Sequence, residues 1–125
     1  MKFHPQTILH SEQTNGNCWV TCLACLLDYD NVPELDIMQA DWWEQSEALA
    51  EAKGLTLLEF PWQGGRFTKR LCIISGDSPR GAFKHSVIGY INSTKDKAFV
   101  DFLHDPHPDG TFITSVDYIT LALPK

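Results

Sequence analysis

The sequence predicts an α+β domain in which a buried N-terminal helix packs on an antiparallel β-sheet. Two observations lead to this prediction. The first half of the chain carries two helical segments, and from Leu55 onward short runs rich in branched and aromatic residues alternate with turn formers. With 125 residues, 43% of them hydrophobic, the chain has the size and composition of one globular domain spanning residues 1–125.

The first helix is expected to run from Asn17 or Cys18 to about Asp28. Nearly all of its residues are apolar, with Thr21 as the polar exception, so this helix should be buried at the centre of the fold. Asn17 is a suitable N-cap, and Gly16 allows a sharp turn before it. Cys18 is therefore expected in the first helical turn.

A second helix is predicted further along the chain. Asp41 and Glu44 fit a capping box, and Gly54 supplies a C-terminal stop. A short helical turn is expected before it, from Glu34 to Gln39.

The strand-like runs continue to the end of the sequence. The predicted strands are Leu55 to Phe60, Arg70 to Ser75, His85 to Asn92, Lys97 to His104 and Tyr118 to Leu123. The composition of residues 92–96 predicts a hairpin loop, which would pair the strand of His85 antiparallel to the strand that ends near Asp105.

Charge and hydropathy limit the classes of partner that the protein is expected to bind. The formal net charge is −6 and the basic residues are scattered, which disfavours nucleic acid. The start of the chain lacks an apolar signal core, and no run approaches the length of a membrane span, so we expect a cytoplasmic protein without a membrane partner. The sequence gives no indication of the oligomeric state.

The four cysteines are expected to be free thiols. Cys18, Cys22 and Cys25 would share one face of one helix, which leaves a metal or iron–sulfur site as an alternative. The Cys-x-x-Cys spacing of Cys22 and Cys25 would lie within this helix and not in a loop, where such pairs usually bind metals, so no metal or cofactor is predicted. Cys22, Cys25 and Cys72 are interpreted as small core residues.

Cys18, His85 and Asp105 form the candidate catalytic set. A thiol in the first turn of a helix lies at the positive end of the helix dipole, which stabilises the thiolate. A histidine and an acid on later paired strands provide a base and an orienting carboxylate for nucleophilic catalysis. Asp101 competes with Asp105 for the third place, because it would lie on the same face of its strand.

Three blocks carry a resemblance to a known superfamily: Cys18-Trp19-Val20-Thr21-Cys22-Leu23-Ala24; residues 75–81 before His85; and His104-Asp105-Pro106-His107-Pro108. Together with Gln13, they resemble the papain-like cysteine peptidases, and among them compact bacterial and phage forms similar to the leader-cleaving peptidases of bacteriocin exporters. The resemblance implies a papain-like fold and a Cys18 nucleophile. It further implies His85 as general base and acid, Asp105 as the carboxylate that orients the imidazole, and Gln13 in the oxyanion hole, with Asn15 and Asn17 as substitutes.

The expected activity is hydrolysis of a peptide or amide bond in a peptide or protein substrate, through a thioester intermediate. The same triad would also support deamidation or transamidation. Trp19, Arg80 and His107 are the predicted substrate contacts, although pairing of Arg80 with Asp77 is favoured over a substrate carboxylate.

A catalytically idle binding or inhibitory module is the alternative of another class. It would act on a host protein through aromatic contact residues, namely Trp42, Trp43, Trp62 and Phe67.

Overall fold

A computed structural model describes residues 3–9, 16–62, 69–93 and 98–125 of the chain. The described part is an α+β fold with two helices and one five-stranded antiparallel sheet. In chain order its elements are α1 (Cys18–Leu26), α2 (Trp42–Glu51), β1 (Leu55–Pro61), β2 (Arg70–Asp77), β3 (Lys84–Ser93), β4 (Ala98–His104) and β5 (Tyr118–Pro124). The predicted α+β class is therefore confirmed at this level.

The strand order of the sheet is β1-β5-β2-β3-β4. The last strand therefore lies between β1 and β2, and β4 forms one edge. β3 and β4 pair antiparallel, as predicted, with a register shift between Ile88 and Gly89. Residues 94–96 of the predicted hairpin loop lie outside the described part of the chain, as does Lys97, the predicted start of the following strand.

Both faces of the sheet are covered. One face packs against α1 and α2, with Leu23, Leu57, Ile73 and Ile88 in its core. The core on the other face includes Ile74, Val87 and Ile119 from the strands, together with Phe112 and Ile113 from the segment between β4 and β5. That segment begins with Asp105, so the packing of the second face helps to position the candidate site.

The helix α1 is shorter than predicted. It ends at Leu26, and Asp28 adopts a left-handed backbone conformation with φ of 60°. The amides of Asp28 and Tyr29 donate to the carbonyls of Cys25 and Ala24 at 3.3 and 2.9 Å. This is the bonding pattern of a Schellman motif, with aspartate where glycine is usual.

Neither predicted helix cap forms through its side chain. Asn17 precedes α1, but its side chain accepts from the Ile8 amide and donates to Thr7 Oγ1, both at 3.0 Å. Asp41 precedes α2 and accepts from the Gln45 side chain at 2.8 Å instead of capping. Of the helical turn predicted before α2, a turn forms only from residue 37 onward.

Candidate active site

The first turn of α1 holds Cys18 beside the N-terminal segment. Gly16 has φ of 75°, a conformation that glycine adopts without strain, and it turns the chain into the helix. The Asn17 amide donates to the Ile8 carbonyl at 2.9 Å, which fixes this turn against residues 3–9. Cys18 is 7% exposed.

The imidazole of His85 lies between Cys18 and Asp105. Its Nε2 donates to Asp105 Oδ1 at 2.6 Å, and both side chains are buried. Because Nε2 binds the carboxylate, Nδ1 is the ring nitrogen left to face the Cys18 thiol, which lies within hydrogen-bonding reach of the ring. The three groups therefore form a chain of thiol, imidazole and carboxylate.

Asp105 receives two further hydrogen bonds from the loop that follows it. The His107 amide donates to Oδ1 at 3.0 Å, and the Phe112 amide donates to Oδ2 at 2.8 Å. Burial alone would favour the neutral acid, but the hydrogen bonds from His85 and these amides, with the charge of His85, outweigh burial and lower the Asp105 pKa. The carboxylate is therefore ionised and fixed in orientation.

The pKa of His85 is shifted in the opposite direction, upward. Burial alone would lower its pKa, but hydrogen bonds to Asp105 and Cys18 and the negative charges of those groups raise it to about 9. The imidazolium is thus the stable form near neutral pH. A positive ring between two acidic groups is the electrostatic arrangement that favours a thiolate–imidazolium pair.

The structure distinguishes the two candidates for the third residue. Asp101 lies on β4 and is exposed, whereas Asp105 follows the end of that strand and contacts His85. Pro106 restricts Asp105 to extended backbone, and the Gln6 amide holds the Pro106 carbonyl at 2.9 Å. These two constraints position the carboxylate.

The predicted oxyanion-hole residue Gln13 lies outside the described residues, as does its substitute Asn15. The other substitute, Asn17, uses its side-chain amide to bind Thr7. The backbone amide of Cys18 belongs to the first helical turn, where amides have no partner within the helix. That amide is a donor suited to an oxyanion.

Of the three predicted substrate contacts, Trp19 is placed in the core. Its ring is 5% exposed, packs against Trp42 and Trp43, and donates from Nε1 to Ser46 Oγ at 2.9 Å. A substrate contact through this ring is therefore a wrong expectation, because the ring already fills the space between the two helices. Trp42 and Trp43 are likewise packed against the core rather than fully exposed.

Arg80 makes a structural pair, although its partner is not the predicted Asp77. Its guanidinium donates to Asp109 Oδ1 at 3.0 Å and to Thr111 Oγ1 at 2.8 Å. Asp77 binds Lys84 instead. Arg80 therefore ties the turn before β3 to the loop that carries the Asp105 donors.

The His107 ring lies beside the candidate triad. Its centroid is 6.3 Å from that of His85, nearly perpendicular to it, and its Nδ1 accepts from the Asp109 amide at 3.1 Å. Its predicted contact with substrate stays a prediction.

The other cysteines have the structural environment that the sequence predicted. Cys22, Cys25 and Cys72 are buried and free, and burial raises the pKa of each thiol, to about 12 for Cys72. Cys22 Sγ donates to the Ser86 carbonyl at 3.3 Å, and Cys25 Sγ accepts from the His4 amide at 3.2 Å. Within the described ranges no group of three or more metal-binding side chains occurs.

Sequence reasoning did not identify the amides of His107 and Phe112, nor the Arg80–Asp109 pair. Amide donors belong to the backbone and have no residue signature. Residues 108–111, Pro-Asp-Gly-Thr, do indicate a turn at this place, which is the available signal that the chain folds back toward Asp105.

Comparisons with protein-family models, with curated proteins and with solved structures give no match to this chain. In the described part of the chain, no helix is long and apolar enough to cross a membrane.

Proposed function

We propose that the protein is a thiol-dependent acyl hydrolase of the papain-like cysteine peptidase type, with Cys18, His85 and Asp105 as its catalytic residues. The observation that carries the proposal is the position of the His85 ring. It lies within reach of a cysteine in the first turn of a helix, and its other nitrogen binds a buried carboxylate at 2.6 Å. This arrangement supplies a nucleophile, a proton carrier and an orienting group.

In the proposed reaction, the Cys18 thiolate attacks the carbonyl carbon of a peptide or amide bond. The negative charge that develops on the carbonyl oxygen is stabilised by the Cys18 backbone amide and by Gln13, the second donor that the resemblance implies. His85 then gives its proton to the leaving amine as the carbon–nitrogen bond breaks, and a thioester remains on Cys18.

Water completes hydrolysis. Neutral His85 takes a proton from the water as its oxygen attacks the thioester, and Cys18 leaves as thiolate while the acid product is released. Asp105 stays ionised throughout, because its role is to hold the ring and to stabilise the imidazolium. An amine in place of water would give transamidation, and a glutamine side chain as acyl donor would give deamidation by the same steps.

The order of the elements supports the papain-like part of the proposal. The cysteine begins the buried helix, the histidine follows at the start of a strand, and the acid follows the paired strand. The three blocks that carry the sequence resemblance thus lie in one place. A peptide or protein substrate in the cytoplasm remains the expected setting.

A binding or inhibitory module without turnover is the second candidate. The observation that favours it is the low exposure of the nucleophile, 7% for Cys18 and 3% for His85. A shielded thiol would react slowly with reagents in solution. The accessibility of Cys18 to a small electrophile therefore separates the two candidates.

The deciding experiment is brief alkylation with limiting iodoacetamide between about pH 4 and pH 9, with the modified cysteine located by mass spectrometry. We expect Cys18 to react first, and its rate near pH 6 to fall at least about tenfold in His85→Gln. His104→Gln is the matched control, because this imidazole binds the His4 carbonyl and not the candidate triad, glutamine keeps a donor for that bond, and the rate should stay unchanged.

Acyl transfer is tested separately with an activated ester, p-nitrophenyl acetate. Intact-mass measurement should show an acetyl group on Cys18 that disappears with time and does not form in Cys18→Ser. If Cys18 reacts no faster than a free thiol, the enzyme proposal is refuted and the binding module is favoured.

A further inference from the structure

A groove of about 850 Å³ begins at the residue before the nucleophile. One wall is the N-terminal segment, with His4 and Ile8, and the helix side is formed by Asn17 and Val20. The opposite wall is the loop of residues 30–36 that connects the helices. A chain lying in this groove would pass next to the first turn of α1, where Cys18 lies.

The loop wall of the groove is acidic. It carries the exposed carboxylates of Glu34 and Asp36, while the described lining contains no lysine or arginine. Lys53 contacts the start of this loop through the Asp28 carbonyl and the Tyr29 ring, and it does not line the groove. Among the described lining residues the charged side chains are therefore acidic, in a chain of net charge −6.

The remaining lining suits long basic side chains. Pro33 and Leu35, both partly exposed, provide apolar surface along which the methylene stem of lysine or arginine packs, while its charged end reaches the carboxylates. The Gln39 and Gln45 side chains lie at the same groove and add polar groups. The groove thus combines an apolar floor with an acidic wall.

We propose that this groove binds a basic segment of the substrate, so that the protein prefers peptides carrying lysine or arginine near the bond presented to Cys18. This inference rests on the proposed function where it treats the bound peptide as a substrate whose bond is presented to Cys18. Binding of the peptide itself does not require a reactive thiol. The favoured occupant is a cationic peptide, because its charge complements the acidic wall.

The test is an NMR titration of the full chain, ¹⁵N-labelled and carrying Cys18→Ser so that no turnover occurs. The probes are three alanine-rich hexapeptides with blocked ends that differ in two positions, occupied by lysine, glutamine or glutamate. We expect the lysine peptide to bind at least about fivefold more tightly than the glutamine peptide and to shift the amides of Val20 and Leu35. The preference should be lost on moving from about 0.01 M to about 1 M salt.

Replacing the acidic side chains of the groove wall with neutral ones tests directly whether their charge binds the lysine peptide. Glu34→Gln combined with Asp36→Asn should reduce binding of the lysine peptide to the level of the glutamine peptide. Asparagine at position 36 keeps the oxygen that accepts from the Met38 amide, so the loop retains that bond. Glu47→Gln is the matched control, because Glu47 is an exposed carboxylate on α2 outside the groove lining.

Equal binding of the lysine and glutamine peptides would overturn the inference, and so would lysine binding that survives neutralisation of the wall or that shifts amides away from the groove. Absence of binding by all three peptides would overturn it as well. The alkylation of Cys18 in the wild-type chain is measured in parallel. A normal alkylation result without charge preference rejects this inference alone, whereas charge preference with an unreactive Cys18 rejects the proposed hydrolase.

Discussion

Replacing Asp105 with asparagine should lower the pKa of His85 and thereby reduce the reactivity of Cys18. Against the effect of burial, the hydrogen bond to Asp105 is the largest factor that raises the His85 pKa from 6.5 to about 9. Asparagine keeps the volume but removes the charge, and one of the backbone amides that now bind the carboxylate would face an NH₂ group.

The expected size follows from the titration curve. At about pH 8, a group with a pKa of about 9 is about nine-tenths protonated, and a fall of one unit reduces that fraction to about one-half. A return to the ordinary histidine value would reduce it to a few hundredths, roughly. If only the ion pair reacts, the alkylation rate of Cys18 at this pH falls by the same factor.

NMR titration of the imidazole signals measures the change directly, with His85→Gln used to assign the His85 resonance. Asp101→Asn is the matched control, since it removes the same charge from an exposed position on β4. A wild-type His85 that titrates near 6.5 would refute the electrostatic reasoning. So would a pKa near 9 that Asp105→Asn leaves unchanged.

Three further predictions concern stability. Because folding raises the His85 pKa from 6.5 to about 9, the stability it contributes is complete below about pH 6.5 and is lost as the pH rises toward 9. Urea unfolding should show this decline in the wild type and much less of it in His85→Gln, and parallel curves for the two proteins would contradict the assignment. Arg80→Gln should lower the free energy of unfolding by a small amount, because it breaks the exposed bonds to Asp109 and Thr111, whereas a change within error would show that these bonds are dispensable. Gly89→Ala should destabilise the chain by more than about 2 kcal/mol in thermal unfolding, because the added Cβ would lie 2.3 Å from the Asp101 carbonyl oxygen; an unchanged melting temperature would show that β4 moves freely.

Local sequence signals predicted the elements because these signals are dense in this chain. The β-strands follow runs of branched and aromatic residues between turn formers, and Gly54, with φ of 72°, terminates the segment after α2 as expected. The sequence predicts a longer α1 than the structure shows, since no glycine marks the end of the helix. Asp28 takes the left-handed conformation there instead, and beyond it the Tyr29 hydroxyl donates to the Leu49 carbonyl at 2.7 Å.

The strand order could not be predicted in the same way. β5 inserts between β1 and β2, and this pairing joins residues far apart in the chain, such as Leu57 with Ala122 and Ile74 with Ile119. Nothing in the local pattern of a strand states which neighbour it will have. The order depends on which arrangement buries the apolar residues on both faces.

The residues of the candidate triad were predictable because their chemistry requires particular residue types. The groups that hold the triad in place were not predictable. Cysteine, histidine and aspartate are recognisable as a set, and the hairpin of β3 and β4 brings the last two together. The groups that hold Asp105 are the backbone amides of His107 and Phe112. Phe112 has φ of 60°, an uncommon conformation for a bulky residue, which no sequence pattern at that position signals.

The triad side chains and the groups that support them should respond differently to mutation, because stability and the reactivity of Cys18 depend on them to different degrees. The Arg80 side chain does not bind His85 or Asp105; it binds Asp109 and Thr111 within the loop whose amides bind Asp105. Loss of Arg80 should therefore weaken both folding and thiol reactivity, because the donors to Asp105 lose their support. Loss of the His85 imidazole removes the proton carrier itself, so the reactivity of Cys18 should fall much further for a comparable loss of stability. If Arg80→Gln lowered stability while Cys18 kept its full alkylation rate, Asp105 would hold its orientation through the two amides without help from the arginine.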